Sequence, residues 1–485
     1  MKGQQEESYR HVLKYTGIFG SIQGLNILLS LVRNKVVAVF LGPMGMGYVS
    51  LFNAALTFIS QTTNLGLPMS AIKQLSEVYE EGDATEIRHF VQVIRFWSML
   101  TAFLGMVVCL LLGPLLGHYT FAWGNHTLHF VLLAPAVAMI AITGGETVIL
   151  KSSHQLRQLA VIQIYAAVCA VVISIPAYYF WGLTGIIPVI ILMAFTQMLL
   201  TLYHSLRLYP FQLRTDKEVY RHGLGMVRLG LAFTIAGVIS SGVEMLIRSY
   251  LNLVANMDEV GLYNAMYMMI VTYAGLVFTA METDYFPRLS AVNHDVVQSN
   301  RIVNVQMEVS VLLISPMLVA MMIFLPILIP LLFSSKFLPI VAVTQLATLS
   351  MFLKAMTLPV AYITLAKGRS RSFLFLEFAY WVFFALAVMM GYHYWGLMGT
   401  GIAIVVAHLF DLVLIHVYAV AFYGYRISSS VVGYGSIQIG LGWSAYLITV
   451  FNPNPYVYWV LGTVCLLVST GYSFIVMRAK LSTRS

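Results

Sequence analysis

The stretch YYFWGLTG at residues 178–185 returns as YHYWGLMG at residues 392–399. The same shift of 214 residues places Gly47 on Gly261. The chain is therefore predicted to contain a unit of about 210 residues twice. In chains that are embedded in a membrane, internal repeats of this kind are typical of transporters.

Apolar residues dominate the chain. Of 485 residues, 59% are hydrophobic and 9% are charged, and the mean hydropathy is +0.83. Soluble domains carry about 25% charged residues, and 46 charged side chains cannot cover the surface of a soluble protein of this length. We expect a polytopic membrane protein.

Fourteen apolar runs are long enough to cross a bilayer, which takes about 20 residues each. They lie near 15–40, 46–71, 90–113, 128–150, 159–180, 184–206, 228–254, 260–285, 304–333, 338–364, 372–394, 397–423, 431–450 and 456–477. Three prolines, Pro316, Pro326 and Pro330, predict a kink in the ninth run.

The predicted fold is all-α, with about 14 transmembrane helices in two six-helix lobes plus two C-terminal helices. The N-lobe (1–213) holds spans 1–6, the C-lobe (214–426) holds spans 7–12, and 427–485 holds spans 13 and 14. Because each lobe has an even number of spans, both copies enter the membrane in the same direction.

Basic residues are distributed unequally between the two sides of the membrane. Of the 27 Lys and Arg residues, 22 fall in or beside connections on the side of the two termini, whereas only Lys336 falls in a connection on the other side. By the positive-inside rule both termini are cytoplasmic. Topology and lipid contact thus explain the net charge of +8, and no nucleic-acid partner is expected.

No pattern of catalytic or metal-ligating residues stands out. Cys109, Cys169 and Cys465 each lie alone in an apolar stretch, without the spacing of a redox motif or a zinc site. A nucleophile elbow and a phosphate-cradling loop with its lysine are also missing. We expect a transporter that is not an enzyme, is not driven by ATP and needs no cofactor.

Four basic residues remain at membrane depth: Arg33, Lys35, Arg248 and Lys354. Each costs about 2.5–3.5 kcal/mol at the centre of an inserted helix, so we expect it to face the bundle interior or an aqueous cavity. Lys35 lies near the outer end of its span and can alternatively extend to the interface.

Polar side chains recur at spacings of three and four along one face of three predicted spans. They are Asn26, Ser30 and Arg33 on span 1, Asn53, Thr57, Ser60 and Asn64 on span 2, and Ser240, Glu244 and Arg248 on span 7. The stripes predict an arginine-lined lumen suited to a phosphate or pyrophosphate, which guanidinium groups bind in a bidentate manner. Alternatively, Glu244 and Arg248 neutralise each other and only pack helices.

Acidic residues at membrane depth are candidates for ion coupling, because a carboxylate there can exchange a proton or hold Na⁺. They are Glu146, Glu377 and Asp411, with Glu244 on the polar stripe as a further candidate. The open alternative is that each acid balances a nearby cation.

Residues 33–48, RNKVVAVFLGPMGMGY, followed by LGL at 65–67 and then Lys73, resemble the opening of bacterial polysaccharide-biosynthesis flippases. GLY at 261–263 resembles the matching turn in their second half. These are the O-antigen translocase and lipid III flippase type within the multidrug/oligosaccharidyl-lipid/polysaccharide (MOP) exporter superfamily.

The resemblance implies a flippase in the bacterial inner membrane. It would move an undecaprenyl-pyrophosphate-linked oligosaccharide from the cytoplasmic to the periplasmic leaflet by alternating access, with Arg33 and Arg248 matching the basic residues that line the lumen. Further expectations are H⁺ or Na⁺ as the coupling ion and contact with the polysaccharide polymerase machinery.

Two rival functions stay open. A cation-coupled multidrug efflux pump shares the superfamily but needs an acidic cavity, which the four membrane-depth bases disfavour. A lipid-processing membrane enzyme usually needs a large outer loop for its catalytic groups, and every predicted outer connection is short.

Overall fold

A computed structural model describes residues 29–120, 127–212, 217–451 and 454–482. Over these ranges the regular structure is helical, with no β-strand. The helices are α1 (29–40), α2 (Gly42–Thr63), α3 (Leu67–Glu81), α4 (Ala84–Thr120), α5 (Thr127–Ser152), α6 (Leu156–Trp181), α7 (Ile186–Leu208), α8 (Lys217–Val254), α9 (Met257–Tyr267), α10 (Leu276–Ala291), α11 (Val296–Leu332), α12 (Ile340–Ala366), α13 (Ser370–Tyr423), α14 (Ser429–Phe451) and α15 (Pro455–Ser482).

The described residues include eight helical segments that are long and apolar enough to cross a bilayer, which makes this a multi-pass membrane protein. Two of these segments, Arg157–Leu208 with 52 residues and Ser370–Tyr423 with 54, are far longer than one crossing requires. Each contains a break in its helical backbone. The predicted total of fourteen spans stays a prediction.

The two breaks lie in the repeated stretch. Gly182 (φ 54°, ψ −129°) and Gly396 (φ 54°, ψ −143°) have the same non-helical conformation, 214 residues apart. Only glycine enters this region without strain. Beyond each break, Gly185 lies against the Ala177 carbonyl and Gly399 against the Gly391 carbonyl, again at equivalent positions. The two stretches thus share their local backbone conformation, and the repeat of the whole lobes stays a prediction.

Aromatic side chains surround each break. Trp181 and Trp395, which directly precede the two glycines, are 61% and 62% exposed, and Tyr179 and Tyr394 are also exposed. Exposed tryptophan and tyrosine rings are typical of the boundary between lipid tails and headgroups. The breaks therefore have the side chains expected at a membrane interface.

The proline-rich run forms one helix, α11, from Val296 to Leu332. The Asp295 side chain caps it by accepting hydrogen bonds from the backbone N–H groups of Val297 and Gln298. The helical assignment runs uninterrupted through all three prolines, so the predicted kink does not end the helix. The kink itself stays a prediction. A separate π-helical turn, Met268–Ala274, lies between α9 and α10.

The chain forms two compact units, residues 1–257 and 258–485. In the first unit α8 packs against α2, α3 and α4. Where the start of α3 meets α8, the backbones of Gly66 and Gly230 lie so close that neither residue has room for a Cβ atom. Because α8 packs this way, the compact units divide at 257/258, whereas the predicted sequence repeat divides at 213/214.

In the second unit the two C-terminal helices pack on α11. The buried Gln438 of α14 donates to the hydroxyl of Ser473 (2.8 Å) and accepts from the hydroxyl of Ser469 (2.7 Å), both on α15. Lys480 pairs with Glu308 of α11. Interhelical hydrogen bonds of this kind hold helices together where lipid removes the hydrophobic driving force.

Candidate functional site

Three of the predicted basic residues belong to the first unit. Arg33 and Lys35 lie on α1 and are half-buried, as is Ser30 one turn before Arg33. Arg33 lies within electrostatic range of the hydroxyl of Tyr178, which is buried on α6. Asn26 lies outside the described residues.

The third basic residue, Arg248, is 6% exposed on α8. Its Nη1 donates to Oε2 of Glu244 at 3.1 Å and to the Glu244 carbonyl at 2.9 Å. The Glu244 side chain remains 35% exposed. The ion pair that the alternative interpretation requires is thus present. It involves the Nη1 end of the Arg248 guanidinium and a carboxylate that is partly accessible.

The polar stripe predicted on the second span divides into two parts. Asn53 is exposed on α2, and its predicted lining position stays a prediction. Asn64 instead shapes the turn after α2: its Nδ2 donates to Oε1 of Gln61 (2.8 Å), and its Oδ1 accepts from the N–H of Gly66 (2.9 Å). A side chain that closes a turn in this way has a structural role.

Glu146 forms a buried ion pair with Arg95. Arg95 Nε donates to Oε1 at 2.9 Å and Nη2 to Oε2 at 3.2 Å, with the two side chains 2% and 5% exposed. The Ser205 hydroxyl also donates to this carboxylate, while Arg95 donates to the carbonyls of Tyr209 and Pro210. The geometry favours charge balance over ion coupling for Glu146.

The second unit brings the remaining predicted residues together. Lys354 on α12 lies within electrostatic range of Glu377 and Asp411, both on α13, and Glu377 lies within such range of Asp411. His408, buried three residues before Asp411, belongs to the same group. We call these four residues the K-E-H-D cluster.

The K-E-H-D cluster is oriented by aromatic neighbours. Trp381 Nε1 donates to Oε2 of Glu377 at 3.0 Å, and Lys354 Nζ lies 5.7 Å from the centroid of the Phe278 ring. Phe278 follows the π-helical turn Met268–Ala274, which packs on α12. π-Helical turns recur at functional sites, and a lysine grouped with two carboxylates suits a site where protons or cations exchange.

The sequence alone does not point to two members of these groups, Arg95 and His408. Arg95 lies near the start of its predicted span, and no local spacing links it to an acid 51 residues away. His408 had a usable signal, because it lies three residues before Asp411 and so on the same helix face.

Comparison with solved structures identifies the fold. A multidrug resistance MATE family transporter of the MOP superfamily, in an inward-facing conformation, superposes with a TM-score of 0.70 at 14% identity, covering 86% of this chain and 96% of that one. The lipid II flippase MurJ, in an inward closed conformation, gives 0.70 at 12% identity, covering 95% and 99%.

A third similar structure is a MOP superfamily transporter from Pyrococcus furiosus, described as having a binding pocket of reverse polarity. Its TM-score is 0.60 at 13% identity, covering 86% of this chain and 94% of that one. No curated protein has a sequence that matches this chain. The sequence model of a family described as polysaccharide biosynthesis proteins matches residues 36–342. The chain belongs to this polysaccharide biosynthesis protein family and has the fold of MOP superfamily transporters.

Proposed function

We propose that the protein flips an oligosaccharide linked to undecaprenyl pyrophosphate from the cytoplasmic to the periplasmic leaflet of the bacterial inner membrane. The polyprenyl tail stays in lipid while the pyrophosphate and the sugar pass through a cationic lumen. The cycle is one of alternating access. The observation that carries the proposal is that the chain belongs to the polysaccharide biosynthesis protein family and has two arginines inside its helices, the half-buried Arg33 on α1 and the buried Arg248 on α8.

Arg248 can serve this function despite its ion pair. Glu244 occupies the Nη1 end of the guanidinium and is itself partly exposed. A pyrophosphate can therefore replace the carboxylate without uncovering an uncompensated buried charge, and its oxygens accept the parallel hydrogen bonds that a guanidinium offers. Arg33 supplies a second positive charge in the same unit.

The test is translocation of a pyrophosphate-linked polyprenyl glycan in proteoliposomes, with a cationic dye as competing cargo. We expect the lipid to move, and we expect Arg33→Ala and Arg248→Ala to abolish movement without lowering the amount of folded protein. Arg371→Ala removes an exposed arginine and is the matched control. Movement of the dye alone would show a multidrug efflux pump and assign the arginines to packing.

Ion coupling is assigned to the second unit, where the K-E-H-D cluster holds two acids beside one lysine. We expect Asp411→Asn to change the dependence of transport on a gradient of H⁺ or Na⁺, because the amide can neither exchange a proton nor hold a cation by charge. The measurement is the initial rate with each gradient imposed separately. Unchanged dependence on both gradients would remove Asp411 from the coupling mechanism.

A further inference from the structure

Three side chains with metal-ligating atoms converge near the beginnings of α4 and α8. His89 comes from α4, and Glu218 and His222 come from α8; one ligand atom of each lies within 4.8 Å of the other two. Glu218 and His222 are four residues apart, so α8 presents them on one face, one turn above the other. None of the three belongs to the polar stripes or to the K-E-H-D cluster.

The spacing of the two imidazoles fits a shared metal ion. Nε2 of His89 and Nδ1 of His222 are 3.3 Å apart. Zinc binds histidine nitrogens at about 2.0–2.1 Å in a tetrahedron, which places two such nitrogens about 3.3–3.4 Å from each other. Both imidazoles can therefore ligate one ion with little movement of either backbone.

The two helix ends are already held in place around this group. The Phe90 ring stacks on His222, with centroids 5.7 Å apart and planes inclined by 20°. Trp97 Nε1 of α4 donates to the Val219 carbonyl of α8 at 3.2 Å. These contacts fix the approach of the helices without using the imidazole nitrogens, which is the support that a metal site requires.

The ligand types and their surroundings select the class of ion. Two imidazoles and one carboxylate suit Zn²⁺ and similar transition metals, whereas Mg²⁺ and Ca²⁺ prefer oxygen ligands. Arg88 and Arg221 adjoin the two histidines in sequence and add positive charge, which further disfavours ions held mainly by charge. Glu218 is exposed, so an ion can enter from solvent and keep a water in the fourth position.

We propose that His89, Glu218 and His222 bind one Zn²⁺-class ion that ties the first turns of α8 to α4. The ion joins two helices whose ligands are 133 residues apart in sequence. This site is independent of the proposed transport function, and its test needs no transport measurement.

The test is titration of the purified full-length protein, freed of any polyhistidine tag, with Co²⁺ as a spectroscopic probe. We expect one equivalent of Co²⁺ to produce the visible absorption of a tetrahedral site, and Zn²⁺ to displace it. Zn²⁺ should also raise the midpoint of thermal unfolding, because it binds only the folded arrangement. If no absorption develops and Zn²⁺ leaves the midpoint unchanged, the histidines are a hydrogen-bonded pair and the proposal is wrong.

Four variants locate the signal. His89→Ala and His222→Ala should abolish it, and Glu218→Gln, which alters an exposed side chain and spares the packing, should weaken binding by about tenfold or more. His294→Ala removes an exposed histidine elsewhere and should bind Co²⁺ like the parent protein. Absorption that survives in folded Glu218→Gln and in both histidine variants would place the ion elsewhere and overturn the assignment.

Discussion

At the scale of single residues, two ion pairs of the first unit differ in how far their carboxylates are buried. Arg95 and Glu146 share two hydrogen bonds, and both side chains are almost inaccessible. Glu244, by contrast, meets Arg248 while more than a third of its side chain stays exposed. The first carboxylate is closed to a new partner, whereas the second is reachable, as the proposed exchange with pyrophosphate requires.

The residue-scale prediction concerns Glu146→Gln. Losing one member of a buried ion pair leaves the other charge uncompensated, so the change should destabilise the protein by about 3–5 kcal/mol. The measurement is the thermal unfolding midpoint in detergent together with the protein level in membranes.

The double variant Arg95→Leu/Glu146→Leu is the control, because it removes both charges. It should recover much of the lost stability, although the carbonyls of Tyr209 and Pro210 lose their donor. A stable Glu146→Gln protein with altered ion dependence would instead return Glu146 to the coupling mechanism.

At the scale of helices, the repeated stretch determines where the two long helical segments break. The Gly182 and Gly396 backbones adopt φ of 54° after tryptophans with φ of −111° and −132°. The sequence alone predicts the position of these breaks, since a glycine follows the tryptophan at the same place in both copies.

The prediction at this scale is that Gly182→Ala and Gly396→Ala each cost about 1–3 kcal/mol of stability. No atom lies within 4 Å of a Cβ placed at either position, so the cost arises from the backbone conformation alone. The thermal unfolding midpoint of each variant is the measurement.

Gly433→Ala is the matched control. Gly433 also has open space around its Cβ position, but it lies within α14 and has no positive φ. Alanine there should be neutral or stabilising. Equal losses at all three glycines would show that backbone conformation is not the cause.

At the scale of the whole molecule, the sequence predicted the class of fold but not the partners of the charged residues. Helical hydropathy and the repeat are local patterns, whereas the grouping of Lys354 with Glu377 and Asp411 depends on how α12 packs on α13. Likewise, the packing of α8 with the first unit follows from the contact of Gly66 with Gly230, which no spacing in the sequence reveals.

The whole-molecule prediction is the orientation of the chain. Cys109 and Cys465 are buried and Cys169 is half-buried, so replacing all three with alanine gives a cysteine-free background with a modest expected cost. In that background Lys336→Cys and Arg371→Cys place single thiols at exposed positions. A membrane-impermeant maleimide on intact cells should label Lys336→Cys only, because Arg371 lies on the predicted cytoplasmic side. Labelling of Arg371→Cys alone would reverse the topology.

The breaks at Gly182 and Gly396 also determine how accessible the backbone is to proteases and antibodies at these two turns. Each joins two helices through a tight turn bordered by tryptophan and tyrosine rings, with no stretch of extended chain. Proteases need extended chain to cut, and inserted tags need a slack loop to be tolerated. We therefore expect antibodies and proteases to have little access to the backbone of these two hairpin tips.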